Sequence, residues 1–179
     1  MSDEVFGFIG LGNMGQPMAR NIREKGHEMI VHDIAGTAER TPQGAEVAGS
    51  NRDIAQRAGI IALSLPTVEV TRQVVNELAE TGRAGSVVAD TCTIGAQAAA
   101  GNARILEAAG IDYLDSPVSG LKFRAEEGTL ASMTAGANAA VERARPCLLY
   151  TSDAAAERSS VDLDGRRIKK KKRGGGGGG

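Results

Sequence analysis

Short apolar runs along the chain alternate with stretches in which apolar residues recur at every fourth position. The runs are typical of strands buried on both faces, and the fourfold spacing is typical of amphipathic helices. The runs predict strands at 5–10, 28–33, 60–65, 86–91, 112–118 and 129–135. The spaced stretches predict helices at 13–25, 50–57, 67–80, 96–109 and 137–145. This alternation implies an α/β fold, with a doubly wound and mainly parallel sheet covered by helices on both faces.

Composition restricts the class of protein. Of the 179 residues, 41% are hydrophobic and 24% are charged, which is ordinary for a globular protein in water. No apolar run approaches the roughly 18 residues of a membrane span, and the acidic start MSDEVFGFIG lacks the basic region of a secretory signal. Cys92 and Cys147 form no CxxC motif and fit a reducing compartment. We therefore expect a cytoplasmic protein with no membrane partner.

Charge and composition change together after residue 146. Residues 1–146 have a net charge of −5, which speaks against a nucleic-acid partner, and residues 147–179 have a net charge of +4. The end reads four Lys, one Arg and six Gly, the order that a run of A followed by a run of G encodes. The string CLLYTS (147–152) resembles a translated transposon-end adapter. We expect 147–179 to be a non-native, disordered tail joined to a truncated gene; the alternatives are a basic nucleic-acid arm or a glycine linker.

A G-x-G-x-x-G motif lies between the first predicted strand and the first predicted helix. Its residues are Gly10, Leu11, Gly12, Asn13, Met14 and Gly15. In this setting the first glycine permits a tight turn, the second lets the backbone approach a pyrophosphate, and the third lets helix and strand pack closely. Asp33 follows Gly15 by 18 residues, at the end of the second predicted strand. A carboxylate there accepts hydrogen bonds from the adenosine ribose and disfavours a 2′-phosphate, so the motif predicts NAD rather than NADP.

Two further stretches follow strands at the edge where α/β sheets bind ligands. ADTCTI (89–94) spans the end of one strand. Its Thr93 is as compatible with capping the next helix as with contacting a ligand. DSPVSG (115–120), followed by GTL (128–130), taken alone is an ordinary turn with a proline and hydroxyl groups.

Together these stretches resemble the β-hydroxyacid dehydrogenase family, which includes 3-hydroxyisobutyrate dehydrogenase, tartronate semialdehyde reductase and semialdehyde reductases. The resemblance covers residues 4–146. It rests on GFIGLGNMGQPMARNI (7–22), LSLP (63–66), DTCTI (90–94), and DSPVSG with GTLASM (115–133). It implies a Rossmann-type dinucleotide-binding domain over 1–146, incomplete at its C-terminal end. The family's all-helical second domain is absent from the sequence.

The resemblance also assigns roles to residues. It implies that Leu65 and Pro66 line the adenine–ribose side of the cofactor and that Thr93 approaches the nicotinamide. It implies that Ser119 and Gly120 bind the substrate carboxylate. The family usually has a second glycine where Leu121 stands, which affects substrate identity. The expected cofactor is NAD, with NADP possible, and the expected substrate is a small hydroxyacid or semialdehyde. The full-length protein is expected to form a homo-oligomer.

The sequence lacks the residue that would take the proton from the substrate hydroxyl. The family uses a lysine in a Gly-x-Gly-x-x-x-Lys context, which this sequence lacks, so we expect the lysine beyond the truncation and an inactive fragment. Lys122 is expected to be a solvated loop residue. His27 and His32 have no acidic or thiol cluster beside them, so no metal site is predicted. The alternative functions are an imine reductase-like NADP domain and a non-catalytic nucleotide-binding module.

Overall fold

The computed structural model describes residues 4–151, and side chains up to residue 148. Six of its strands are β1 (Phe6–Ile9), β2 (Met29–His32), β3 (Glu46–Val47), β4 (Ile60–Leu63), β5 (Val87–Asp90) and β6 (Asp112–Asp115). They form one sheet in the order β3-β2-β1-β4-β5-β6, and every neighbouring pair is parallel. A separate antiparallel pair is formed by β7 (Val118–Ser119) and β8 (Ala131–Ser132).

Within residues 4–151, five α-helices and one 3₁₀ turn connect the strands, and a sixth helix follows β8. The helices are α1 (Gly15–Glu24), α2 (Asn51–Arg57), α3 (Val68–Thr81), α4 (Ala96–Ala108), α5 (Lys122–Glu127) and α6 (Asn138–Thr151), and the 3₁₀ turn is Ala38–Arg40. Each predicted helix has a counterpart, within two residues at its start. Ser50 and Thr67 cap α2 and α3, since their side-chain oxygens each accept a hydrogen bond from the backbone three residues on, at 3.2 Å.

The core lies on both faces of the sheet, as the apolar runs predict. Phe6 and Phe8 of β1 lie with apolar residues of α1 and α6 in one buried cluster. Ile9 points to the opposite face, where α2, α3 and α4 provide the second cluster. Every residue of β1, β4 and β5 is buried. The predicted Rossmann-type, doubly wound α/β fold is therefore confirmed, with a main sheet that is wholly parallel.

The predicted strand 112–118 is interrupted in the structure. β6 ends at Asp115, and after two intervening residues the chain continues as β7, which lies outside the main sheet. The break contains Pro117, which has no N–H to donate to a strand ladder. It also contains Ser116, whose buried hydroxyl bonds the hydroxyls of Ser132 (2.9 Å) and Thr134 (2.7 Å). The predicted strand 129–135 is correspondingly reduced to β8 and isolated bridges, one of which joins Asp115 and Ala135.

Two elements have too little apolar pattern to be predicted. β3 is a two-residue edge strand, and both of its residues are exposed. α5 has one turn and a half and buries only Ala125. It ends at Gly128, whose φ of 70° is the left-handed conformation that glycine adopts readily.

The last helix continues past the predicted domain boundary at residue 146. α6 passes through Pro146 and reaches Thr151. Cys147 and Leu148 are buried, at 2% and 6% exposure, in the same cluster as Ala140 and Ala144. They extend the apolar face of the helix because they follow Ala144 at helical spacing. The predicted end of the domain therefore falls inside a helix. The rest of the predicted tail, 152–179, lies outside the described residues.

Candidate functional site

The carboxyl edge of the sheet collects most of the residues singled out in the sequence. Because all six strands are parallel, the segments that follow β1, β2, β4 and β5 emerge at one edge. They carry the Gly10–Gly15 loop, Asp33, the Leu65-Pro66 pair and Thr93. β1 and β4 are neighbours from which the chain runs in opposite directions along the sheet, and such a switch point is where open α/β sheets bind ligands.

Each of the three glycines of the loop is glycine for a different structural reason. Gly10 has a φ of 94°, and a Cβ there would collide with the carbonyl oxygen of Ser64. A Cβ on Gly15 would collide with the carbonyl oxygen of Gly10, so α1 packs directly on the end of β1. Gly12 differs, since no atom beyond its two chain neighbours lies within 4 Å of the position its Cβ would take. The protein's own packing therefore requires Gly10 and Gly15, whereas Gly12 leaves an open space beside the backbone.

That open space adjoins unpaired hydrogen-bond donors. Within residues 4–151, the backbone N–H groups of Gly12, Asn13 and Met14 have no hydrogen-bond partner. They lie at the N-terminus of the ten-residue helix α1, which has no side-chain cap and no acidic residue in its first turn. Free N–H groups and the positive end of a helix dipole bind anions such as phosphate. The loop thus fits the pyrophosphate of a dinucleotide.

Asp33 is tied to the glycine loop. Its Oδ2 accepts a hydrogen bond from the backbone N–H of Leu11 at 2.6 Å. Its Oδ1 accepts one from the N–H of Ala35 at 2.7 Å, and the guanidinium of Arg40 lies 3.5 Å from the same atom. A carboxylate has about four lone-pair positions, so these contacts leave capacity for a ribose hydroxyl. The carboxylate is held in place before any ligand arrives.

Leu65 and Pro66 follow β4, where Leu65 is half-buried and Pro66 is exposed. The backbone N–H of Leu65 lies 3.1 Å from the Sγ of Cys92 and donates to it. Burial and the neighbouring Asp90 raise the pKa of the Cys92 thiol well above its ordinary value, so the thiol stays protonated. Cys92 therefore ties the loop after β4 to the segment after β5.

Thr93 is exposed in the segment between β5 and α4. The N-cap position of α4 is Gly95, with a φ of 81° and no side-chain cap. The alternative that Thr93 caps this helix is therefore wrong, and its hydroxyl is available at the carboxyl edge.

A buried polar network that the sequence does not predict lies at the end of β5. Asp90 is fully buried and accepts hydrogen bonds from the Tyr113 hydroxyl (2.8 Å) and the Cys92 N–H (3.0 Å). Burial raises the pKa of Asp90, and burial together with the Asp90 charge raises that of Asp115, its neighbour in register on β6. The only signal in the sequence is an acidic residue ending a strand that is otherwise apolar.

Ser119 and Gly120 are exposed at the end of β7. Gly120 has a φ of 150°, and a Cβ there would lie 2.7 Å from Cδ2 of Leu130. The glycine is thus needed for the turn itself. Leu121 beside it is 68% exposed.

Lys122 forms an ion pair with Glu126, at 3.4 Å between Nζ and Oε1, and its side chain is 59% exposed. Lys25 is the other lysine among residues 4–151. Within this part of the chain, no group of three His, Cys, Asp or Glu side chains is arranged to hold a metal ion. None of its helices has the length and apolar character of a membrane span.

The chain is similar to known dehydrogenases and reductases. A sequence model of the family described as the NAD binding domain of 6-phosphogluconate dehydrogenase matches residues 5–158. The chain is 35% identical over 147 residues to 2-(hydroxymethyl)glutarate dehydrogenase of Eubacterium barkeri, covering 79% of this chain and 49% of that protein. It is 35% identical over 144 residues to 2-hydroxy-3-oxopropionate reductase of Escherichia coli (strain K12), covering 78% and 49%.

Solved structures agree. The structure of Mycobacterium tuberculosis 3-hydroxyisobutyrate dehydrogenase with L-serine is 32% identical in sequence and superposes with a TM-score of 0.76. The match covers 83% of this chain and 52% of that one. This chain therefore spans about half the length of the relatives that it matches.

Proposed function

Since this chain belongs to the family described as the NAD binding domain of 6-phosphogluconate dehydrogenase, we propose that it is the cofactor-binding part of an NAD-dependent β-hydroxyacid dehydrogenase. Its relatives are dehydrogenases and reductases, which supports an oxidoreductase. The observation that carries the proposal is the open space at Gly12, bordered by free N–H groups at the start of α1 and by a carboxylate already fixed at Asp33.

We assign the cofactor contacts to the loop and to the strand ends around it. The N–H groups of the Gly10–Gly15 loop hold the pyrophosphate, and Asp33 accepts hydrogen bonds from the adenosine ribose. Leu65 and Pro66 cover the adenine–ribose side, and Thr93 contacts the nicotinamide end. The nicotinamide, when bound, accepts or donates the hydride.

On the substrate side, Ser119 and Gly120 bind the carboxylate of a small β-hydroxyacid or semialdehyde, with a hydroxyl and a backbone N–H. Both residues are exposed beside the carboxyl edge, which supports this assignment. Leu121 limits the size or shape of the substrate, because its side chain stands where the family usually has none.

The proton acceptor comes from outside the described residues. Lys122 is engaged with Glu126 and exposed to water, so we assign it no catalytic role. We propose that this chain is part of a longer cytoplasmic protein, in which another segment supplies the catalytic lysine and the dimer contacts. On this proposal, residues from about 147 onward are encoded by adapter and homopolymer sequence. Cys147 and Leu148 fit the buried face of α6 because both side chains are apolar.

Titration and assay of the 179-residue chain test this function. We expect NADH binding, seen as a change in nicotinamide fluorescence, without oxidation of NADH in the presence of small semialdehydes. Turnover would contradict the requirement for an additional lysine. Absence of binding would contradict the cofactor site itself.

The proposed tail has a separate test. Long-read sequencing of source DNA across codons 140–180 should show a reading frame that continues into Gly-x-Gly-x-x-x-Lys. A stop codon after the Lys-Arg-Gly sequence would instead favour a non-catalytic nucleotide-binding module.

A further inference from the structure

The short helix α5 takes its position from α1. It begins two residues after Gly120, one of the proposed substrate residues, and is only six residues long. A helix of this length is unstable by itself in water, so its position depends on contacts with other elements. Its buried residue, Ala125, lies in the same core cluster as Met18 and Ile22 of α1. α5 therefore packs on the helix that begins at the glycine loop.

Asn21 of α1 makes the polar part of this contact. Its side-chain Nδ2 donates a hydrogen bond to the carbonyl oxygen of Ala125 at 2.8 Å. The same oxygen accepts a longer bond from the Gly128 N–H, at 3.4 Å, and a carbonyl oxygen has lone pairs for both donors. Nη2 of Arg20 bonds the next carbonyl oxygen, that of Glu126, at 3.3 Å. The last carbonyl groups of a helix have no partner within it, so Asn21 provides the shortest of the bonds that hold this end of α5.

The other end of α5 is joined closely to the substrate residues. The N–H of Arg124 donates to the carbonyl oxygen of Leu121 at 2.9 Å, which ties the first turn of the helix to the residue after Gly120. The Arg124 side chain also lies against this glycine, since a Cβ on Gly120 would be 3.2 Å from Arg124 Cδ. A displacement of the C-terminal end of α5 would therefore be transmitted to Gly120 and Ser119.

We propose that Asn21 is a positioning residue that sets Ser119 and Gly120 relative to the cofactor. It lies six residues after Gly15, about 9 Å along the helix whose N-terminus is proposed to hold the pyrophosphate. Through Asn21, one helix fixes both the cofactor and the residues that bind the substrate carboxylate. Hydride transfer depends on such alignment, because the reacting atoms must be held close together. The inference rests on the proposed substrate role of Ser119 and Gly120.

Amide NMR spectroscopy of the 179-residue chain tests this role without any assay of turnover. The probe is 3-hydroxypropionate, a small β-hydroxyacid, titrated at saturating NAD⁺. Asn21→Ala should displace the amide resonances of Ser119 and Gly120 in the free chain. It should also raise the Kd of 3-hydroxypropionate about fivefold, the effect of losing one hydrogen bond of ordinary strength. The Kd of NAD⁺ should stay within about twofold, because the glycine loop keeps its own contacts.

A second variant and a matched control isolate the hydrogen bond. Asn21→Asp keeps the size of the side chain but has no N–H donor, so it should displace the same two resonances. Asn51→Ala is the control, because Asn51 is also half-buried and joins two helices, with its Nδ2 2.9 Å from Oε2 of Glu77. Those helices, α2 and α3, pack on the other face of the sheet, so this variant should leave the resonances and both Kd values unchanged. Thermal melts followed by circular dichroism verify that each variant is folded.

The outcomes separate this inference from the proposed substrate site. If 3-hydroxypropionate perturbs Ser119 and Gly120 in the unmodified chain, and either Asn21 variant binds it equally well, the role of Asn21 is overturned and the substrate site stands. If the unmodified chain shows no response at these two amides, the proposed substrate site is overturned, and the role of Asn21 with it. Displaced resonances and weaker binding in both Asn21 variants, and not in Asn51→Ala, support the role of Asn21.

Discussion

The glycine loop (10–15) and the β7–β8 hairpin (118–132) stand at the same edge of the molecule and are built in opposite ways. The loop is fixed by backbone: Gly10 and Gly15 touch other main-chain atoms, and Asp33 fixes the N–H of Leu11. The hairpin has two-residue strands and is tied to the sheet through the hydroxyls of Ser116, Ser132 and Thr134.

The difference matches the two parts of the proposed function. A dinucleotide presents the same pyrophosphate and ribose to every member of the family, so a rigid backbone site suits it. The hairpin carries the proposed substrate residues, and its neighbours Leu121 and Met133 are exposed at 68% and 70%. In this chain the proposed cofactor side is preformed, whereas the proposed substrate side is open.

Gly15→Ala should produce the largest effect. The added Cβ meets the carbonyl oxygen of Gly10, and neither backbone segment can move without separating α1 from β1. We expect a loss of about 3 kcal/mol in the free energy of unfolding, measured by urea denaturation.

Gly12→Ala is the matched control, because the same methyl group enters open space. It should change the free energy of unfolding by less than about 0.5 kcal/mol, while weakening NAD⁺ binding by roughly tenfold or more. Equal stability of the two variants would refute the distinction between packing and binding glycines.

Gly120→Ala tests the hairpin side of the comparison, with an intermediate effect. The φ of 150° disfavours alanine, but the nearest atom is the end of the Leu130 side chain, at 2.7 Å, rather than main chain. We expect a loss of about 1–2 kcal/mol, smaller than for Gly15→Ala, in the same denaturation experiment. A larger loss than at Gly15 would mean that the hairpin is as rigid as the loop.

The smallest expected effect is a change in stability with pH that comes from the buried carboxyl of Asp90, between the two regions. The pKa of Asp90 is raised by burial. A carboxyl with a higher pKa in the folded than in the unfolded protein contributes stability that is present below the unfolded pKa, near 3.8, and is lost as pH rises through the folded pKa. The Asp90→Asn variant has no carboxyl group to ionise at this position. Its free energy of unfolding relative to that of the unmodified chain should therefore increase from pH 4 to pH 7.

Urea denaturation across that pH range measures the trend. Asp112→Asn, at the half-exposed amino end of β6, is the control. A pH trend in Asp112→Asn equal to that in Asp90→Asn would show that the trend does not depend on the buried site.

Much of the proposed cofactor site can be predicted from the sequence alone. The apolar runs predicted the strands of the main sheet apart from β3, and the G-x-G-x-x-G spacing placed the loop at the start of α1. The resemblance to β-hydroxyacid dehydrogenases, and NAD as cofactor, are confirmed by the family match and the relatives. These features depend on residues close in sequence, whose spacing alone fixes which side chains share a face or a turn.

Tertiary structure decided what depends on contacts between distant segments. The hydrogen bond from Asn21 to α5 and the buried Asp90–Tyr113 pair form only when elements distant in the sequence pack together. Cys147 and Leu148 belong to the core because α6 packs beside α1, although their composition predicted a tail. The sequence determined the fold class and the anion-binding loop through local periodicity. The structure determined the hairpin, the end of α6 and the surroundings of Asp33, because burial and pairing arise only when distant segments come together.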